Sequence, residues 1–407
     1  MLAATQTKGV VRKGDYGTRT VTAQKDLHLL KLVEVGDYVI SLRSFQGGIE
    51  VAHCRGIISP AYSVLEPQES ATSGYYSHFF KSKPFINSLS LFVTGIREGQ
   101  NIDYERLSRA EMPMPPEDEQ AAIVRFLNHA NRKIDGFIRA KRKLIGLLTE
   151  QKQAIIHRAV TRGLDPNAKF KPSGIPWLGE IPAHWEVLRA KYLFSEVDDR
   201  SKEGKETHLA MSQRLGLVPS SMVGSAMRSE SYAGAKLCQE GDLVLNRLKA
   251  HLGVFALAKQ GGVISPDYSV FRKRVALRMD YFESVLRSSA CRRELRIRAK
   301  GLVEGFWRLY TDDFYDIRLP VPPTDEQGEI MSAISSETSS LTTAITRTER
   351  EIALMQEYRT RLTADIVTGK LDVREAAAKL PEVEGAAAAE GDLDVAVDFD
   401  ETEPEES

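Results

Sequence analysis

Residues 112–135, MPMPPEDEQAAIVRFLNHANRKID, return 207 residues later as LPVPPTDEQGEIMSAISSETSSLT in residues 319–342. A duplication constrains the fold strongly, because each copy must build the same local structure. In both copies prolines close an extended segment: Pro113, Pro115 and Pro116 in the first, Pro320, Pro322 and Pro323 in the second. Proline cannot continue a strand ladder but is tolerated just ahead of a helix. Acids follow at once (Glu117, Asp118 and Glu119; Asp325 and Glu326), where the positive end of a helix dipole favours them, and Asp118 or Thr324 is placed to cap. No proline then occurs before Val160 or Val367. Each copy predicts a helix of about 44 residues, about 66 Å long at about 1.5 Å per residue.

Apolar residues run down both helices in one register. The first carries Ile123, Leu127, Ile134, Ile138, Ile145, Leu148, Ile155 and Ala159; the second carries Ile330, Ile334, Leu341, Ile345, Ile352, Met355, Leu362 and Ile366, each 207 positions on. Steps of three, four and seven are those of a coiled-coil seam. Stripes lying on separate domains would have similar spacing, but equal length and register in one chain favour their packing on each other. A parallel pair would force the intervening chain to enter and leave about 66 Å apart. An antiparallel pair brings entry and exit together, as compact domains commonly do.

The repeat extends upstream of the helices. VGDYVISLRSFQGGIEVAHCRGIISPAYSVL (residues 35–65) matches EGDLVLNRLKAHLGVFALAKQGGVISPDYSVF (residues 240–271), with Gly36-Asp37 over Gly241-Asp242. Alternating apolar residues and glycine turns read as strands and hairpins. The expected fold class is therefore α+β, with a pseudo-twofold internal repeat. Two globular domains, residues 1–115 and 164–322, are separated by two long helices, residues 116–163 and 323–370, forming an antiparallel coiled coil.

Residues 371–407 read as an acidic disordered tail, a solubilising extension or a competitor for a basic surface. Residues 375–407 hold twelve acids and one lysine, which leaves 54 basic against 44 acidic side chains in residues 1–374. That excess of ten positive charges suits a polyanionic partner. There is no run of about 18 apolar residues, no apolar leader at the N-terminus, and no pairing pattern among Cys54, Cys238 and Cys291. The chain reads as cytoplasmic, without membrane contact, zinc site or disulfides.

Catalytic chemistry is not legible. No G-x-x-x-x-G-K-[ST] occurs, and the Pro-Pro pairs stand in Met-Pro-Pro-Glu and Val-Pro-Pro-Thr, not in the Asn- or Asp-Pro-Pro-aromatic setting of a base methyltransferase. Asp198, Glu203 and Lys205 have an acid-x-lysine spacing, but such triplets arise by chance in a chain that is 27% charged. His53, His157 and His184 each lack a second ligand at zinc spacing. Trp307 and Tyr310 read as packing under the sheet. No catalytic or metal-binding residue is assigned.

The P-x-P-P-x-x-E-Q-x-x-I helix start, the I-D-x-x-I-x-x-K-x-x-x-I-x-x-L-x-E pattern of residues 134–150, A-V-T-R-G-L-D at 159–165 and S-G-I-P-W-L-G-E-I-P-A-H-W-E-V at 173–187 resemble the specificity subunit of Type I restriction-modification systems. The resemblance implies two target-recognition domains reading the halves of a split site on double-stranded DNA. It also implies two methyltransferase subunits as partners, with restriction subunits joining them. No cofactor is implied in this chain; S-adenosylmethionine, ATP and magnesium would belong to the partners.

Base edges are read by Arg, Lys, Asn and Gln, and phosphates by further basic groups. In the second domain the candidates are Asn246, Arg247, Lys249 and His251 in LNRLKAHLG, with Gln213, Arg214 and Arg228 upstream. In the first they are Arg43 and Gln46 in SLRSFQGG, with Lys8, Arg12, Lys13 and Arg19 upstream. Arg292, Arg293, Arg296, Arg298 and Lys300 form a further basic run, readable as a phosphate-facing or simply a solvated helix face.

The two copies differ at the front. Residues 173–208 have no counterpart in the first copy, whose MLAATQTKGV already aligns near LAMSQRLGLV (residues 209–218). The first domain is thus expected to have an unfilled core edge and unpaired strand groups. Either the true start lies upstream or this domain is degenerate. The expected function is a non-catalytic DNA reader whose coil sets the spacing of two half-sites; the alternatives are a non-specific DNA-binding coiled-coil scaffold and an inactive truncated pseudo-subunit.

Overall fold

The computed structural model describes residues 1–5, 9–15, 29–41, 47–67, 73–94, 101–212, 215–223, 232–301 and 307–381. The described residues divide into two compact units, 1–143 with 348–381, and 144–347. The division falls within the long helices, so each unit combines one globular part with half of both helices, instead of breaking at the helix starts as the sequence suggests.

In the first unit a hairpin pairs Leu2–Thr5 with Gly9–Arg12, and Lys31–Val33 pairs with Gly56–Ile58. Tyr38–Ser41 lies between Glu50–Val51 and Tyr62–Leu65 in an antiparallel sheet of three strands. Helices Ser73–Phe79 and Lys83–Leu89, with the turn between them, supply an aromatic cluster of Tyr75, Phe79, Phe80 and Phe85. Ile123 and Leu127 from the first long helix and Ile366 and Val367 from the second join this core.

The second unit repeats the plan. Leu209–Ser212 pairs with Gly216–Pro219, and Lys236–Cys238 with Gly262–Ile264. Its sheet has four strands, ordered Phe194–Val197, Tyr268–Lys273, Leu243–Asn246, Phe255–Leu257. The Gly-Asp turns match in chemistry as well as in sequence. Gly36 (φ +96°) and Gly241 (φ +88°) take the left-handed conformation that glycine adopts without penalty. Asp37 Oδ2 then accepts the Glu34 amide at 2.8 Å, and Asp242 Oδ2 the Gln239 amide at 2.9 Å.

The long helices are Glu117–Arg162 and Thr324–Val367, of 46 and 44 residues. Contacts within each unit show that they run antiparallel. In the first unit Lys141 pairs with Glu351 at 2.7 Å and Asp135 with Arg359; in the second, Lys152 donates to Thr342 at 2.9 Å and Arg158 approaches Glu337 at 3.8 Å. Ile123, Leu127, Ile134, Ile138, Ala159, Ile330, Ile334 and Ile366 are buried. Ile145, Leu148, Ile155, Leu341, Ile345, Ile352, Met355 and Leu362 are half-buried. The buried Thr338 satisfies its own hydroxyl by donating to the Ile334 carbonyl at 2.8 Å.

A matched pair of tyrosines ties each globular part to the end of a long helix. Tyr75 donates to the Val367 carbonyl and Tyr281 to the Val160 carbonyl, both at 2.9 Å. These carbonyls belong to last helical turns, which have no partner within the helix. Burial pushes the Tyr75 hydroxyl up to about 12 and raises that of Tyr281 well above its ordinary value, so both stay protonated donors.

One expectation is corrected. Composition predicts an acidic disordered tail from residue 371, but residues 371–381 are folded, with a short helix at Arg374–Ala378. Val373 and Ala377 are buried, Val373 in the core of the first unit, and Arg125 donates to the Leu380 carbonyl. Residues 382–407 lie outside the described residues.

Candidate nucleic-acid interface

The loop LNRLKAHLG is built at the end of strand Leu243–Asn246. Asn246 caps the tight turn Arg247–Leu252, its Oδ1 accepting the amides of Leu248 at 3.1 Å and Lys249 at 3.3 Å. Arg247 donates to the carbonyls of Asp267 (3.0 Å) and Pro266 (3.2 Å), fastening the loop to the neighbouring turn. Two of the residues that sequence chemistry nominates as base readers are therefore engaged in shaping the loop. Lys249 is exposed, while the side chain of His251 lies outside the described residues.

Gly253 closes the loop at φ +70°, and a Cβ there would lie 2.5 Å from Arg292 Cγ and Cδ. Both the backbone conformation and the packing thus require glycine. Arg292 comes from helix Ser289–Arg298 and lines a cavity of about 110 Å³ with Gln153, Ser212 and Arg287. Arg287 is paired with Glu283 at 3.1 Å, whereas Arg292 has no acidic partner among the described residues. Burial, and then the charge of Arg293, lowers the pKa of His157, keeping it neutral at physiological pH.

The rest of the basic run is occupied. Arg298 pairs with Glu294 and Lys300 with Asp313, each at 2.7 Å, and Arg296 lies over the Trp307 ring at 5.3 Å. Lys249, Arg292 and the exposed Arg293 are left as cations beside the loop. The sequence offers little to single out Arg292, because its position depends on the non-local approach of Gly253. Replacing Lys249 or Arg292 by alanine is expected to weaken DNA binding uniformly across sequences. It should also reduce the slope of log affinity against log salt by about 0.9 for each phosphate no longer neutralised, as read by fluorescence anisotropy over a salt series.

Arg12 is exposed at the end of its hairpin and Lys13 is half-buried beside it. Lys8, Arg19, Arg43, Gln46, Gln213, Arg214 and Arg228 lie outside the described residues. The acid-x-lysine triplet does not gather: Asp198 pairs with Arg200 at 2.9 Å and Lys236 at 3.7 Å, while Glu203 pairs with Lys205 at 2.7 Å. Trp307 is half-buried, but Tyr310 is 50% exposed and does not pack under the sheet as expected. No described helix is long and apolar enough to cross a membrane.

No family model matches the chain. It is 22% identical over 323 residues to the putative type I restriction enzyme MjaX specificity subunit of Methanocaldococcus jannaschii, covering 76% of this chain and 71% of that one. Against the EcoKI specificity subunit of Escherichia coli it is 23% identical over 286 residues, covering 67% and 60%. A third relative, the MjaVIII specificity subunit of M. jannaschii, is 28% identical over 138 residues, 34% of this chain and 30% of the relative. A solved chain from a study of complex assembly and conformational transition of the type I R-M system shares the fold with a TM-score of 0.58 at 16% identity, covering 84% of each chain.

Fold and repeat together define the class: a duplicated α+β protein whose copies share an antiparallel pair of long helices. With these relatives beside it, the chain is similar to the specificity subunits of Type I restriction-modification systems.

Proposed function

We propose that the chain is the sequence-specific DNA-recognition subunit of a Type I restriction-modification complex. It reads a bipartite target and positions methyltransferase and restriction subunits, without catalysis of its own. The observation that carries this reading is the duplication in three dimensions. Two units have the same turns, the same tyrosine-to-helix bonds and matching halves of one helix pair, an arrangement suited to one half-site per unit. S-adenosylmethionine, ATP and magnesium are assigned to the partners, and the complex to the cytoplasm.

The test is enrichment of random duplex DNA by the chain co-purified with its methyltransferase subunit at physiological salt. A split motif is the expected result. Affinity equal on all duplexes and set by salt alone would favour the non-specific scaffold, and no enrichment would favour the inactive pseudo-subunit. Because both helices run unbroken from one unit into the other, adding one heptad to each, about 10 Å of helix, is expected to change the preferred spacer between half-sites. An unchanged spacer would refute the role of the helices in setting it.

A further inference from the structure

The internal repeat sets one cation of the second unit apart. Ser82 and Ser288 precede matching helices, Lys83–Leu89 and Ser289–Arg298, and the pairs Phe85/Cys291 and Leu89/Leu295 are buried in both, each 206 positions apart. Arg292 therefore stands where the first unit has Ile86, and Arg287 where it has Lys81. In each unit a left-handed glycine faces the first of these positions. A Cβ on Gly48 (φ +83°) would lie 3.3 Å from Ile86 Cγ1, and one on Gly253 (φ +70°) 2.5 Å from Arg292 Cγ. An aliphatic chain thus suffices for this packing, and the guanidinium of Arg292 goes beyond it.

The surrounding charge differs as well. In the first unit Lys81 is neutralised by Glu50, whose side chain is 7% exposed, and donates to the Gly47 carbonyl at 2.9 Å. The carbonyls of Ala52 and Ala258 accept the glycine amides of the two Gly-Asp turns, at 2.9 and 2.8 Å, so Ala256 holds the place of Glu50 in the second unit. Arg287 is neutralised by Glu283 of its own helix, which leaves the charge of Arg292 uncompensated among the described residues. Arg292, Arg287, Gln153 and Ser212 line the cavity of about 110 Å³, far above the about 10–15 Å³ that admits one water. Guanidinium, amide and hydroxyl groups can all donate into it. The cavity lies where the strand leading to Gln213 and Arg214, the loop ending at Gly253 and the helix carrying Arg292 meet.

We propose that this cavity is a socket for one phosphate group, supplied by the backbone of the duplex that the chain reads; the inference rests on the DNA-recognition reading above. Arg292 supplies the charge, which strengthens its hydrogen bonds to a phosphate oxygen, Gln153 and Ser212 add neutral donors, and Gly253 seats the stem of the arginine. Gln153 belongs to the long helix Glu117–Arg162, so the helix itself takes part in holding the duplex. The first unit carries Ile86 and the closed Lys81–Glu50 pair at the corresponding place. Among the described residues this anchor therefore belongs to the second unit alone, and the two half-sites are gripped by different backbone contacts.

The experiment scans the enriched duplex with single neutral methylphosphonates, using the chain with its methyltransferase subunit as wild type, Arg292→Ile and Lys249→Ala. At one phosphate the wild type is expected to lose about tenfold or more in affinity, the size of a charge-assisted hydrogen bond. Arg292→Ile, which copies the first unit and keeps an aliphatic stem on Gly253, should lose that sensitivity at that phosphate only, and Lys249→Ala should retain it. Losses that add at every position would overturn the proposal. A second arm follows phenylglyoxal modification of Arg292 in the full chain by mass spectrometry, with chloride or inorganic phosphate at equal ionic strength, or with duplex. Slowing by both phosphate and duplex is expected. Slowing by phosphate without slowing by duplex would assign the socket to a free anion and overturn DNA as its source, and slowing by neither would overturn the site itself. A split motif together with additive losses would sink this inference and leave the DNA-recognition reading standing. A chain that binds no duplex would refute that reading and the source with it, whereas protection by phosphate would still uphold the socket.

Discussion

Trp185→Ala is expected to destabilise the second unit by about 3–5 kcal/mol, the range for truncating a large buried aromatic side chain. Trp185 is 0% exposed and packs with Leu178, Ile181 and Val160 in the core shared with Ile330. Its indole also donates to Glu326, which holds His184 through its other oxygen at 2.7 Å, so removal leaves a partly buried carboxylate short of a donor. Trp185→Phe keeps most of the packing and should cost less than half as much. Because the chain has two units, a single unfolding midpoint is not the right measure. Hydrogen exchange by mass spectrometry reads each separately, and the change should appear in residues 178–197 and 317–334 while residues 38–127 keep their protection. Equal loss in both units would show that Trp185 does not act through the core described.

Arg272→Met is the second large effect. Arg272 grips Asp242 with two parallel bonds, Nε to Oδ1 at 2.8 Å and Nη2 to Oδ2 at 2.9 Å, and the Asp242 side chain is 3% exposed. Removing one partner of such a pair strands the other charge, at about 3–5 kcal/mol when both are buried. Arg272 is 35% exposed, which places the expected loss at the lower end of that range. Asp242→Asn in the Arg272→Met background keeps the acceptor for the Gln239 amide and removes the stranded charge. The double variant should therefore be more stable than Arg272→Met alone, as read by denaturant unfolding of the second unit. Additive losses in that cycle would mean that the two side chains act independently.

The long helices and their seam are legible in the sequence because they rest on local signals that recur 207 residues apart: a proline stop, acids in the first turn and an unbroken apolar period. The candidate interface loop is less legible. An asparagine oxygen that can read a base can equally cap a turn, and the choice at Asn246 depends on where the Leu248 and Lys249 amides point. Arg247 is held by carbonyls some twenty positions away, an interaction no short motif reports. At residues 371–381 the composition misleads, since acids and alanines suggest disorder. The four-residue spacing of Val373 and Ala377 is the better signal, because it gives a short helix one apolar side.

The division of the chain has a consequence for biosynthesis. The second unit is one uninterrupted stretch, residues 144–347, whereas the first needs residues 1–143 and the segment from 348 onward. As the polypeptide leaves the ribosome, the second unit therefore has all its parts while the first still lacks Ile366 and Val367 for its core and the carbonyl that Tyr75 binds. The half made first is closed last. During that interval the apolar faces of Ile123 and Leu127 are open to solvent, and translation pauses or truncations before residue 367 should burden chaperones more than equivalent events within residues 1–143.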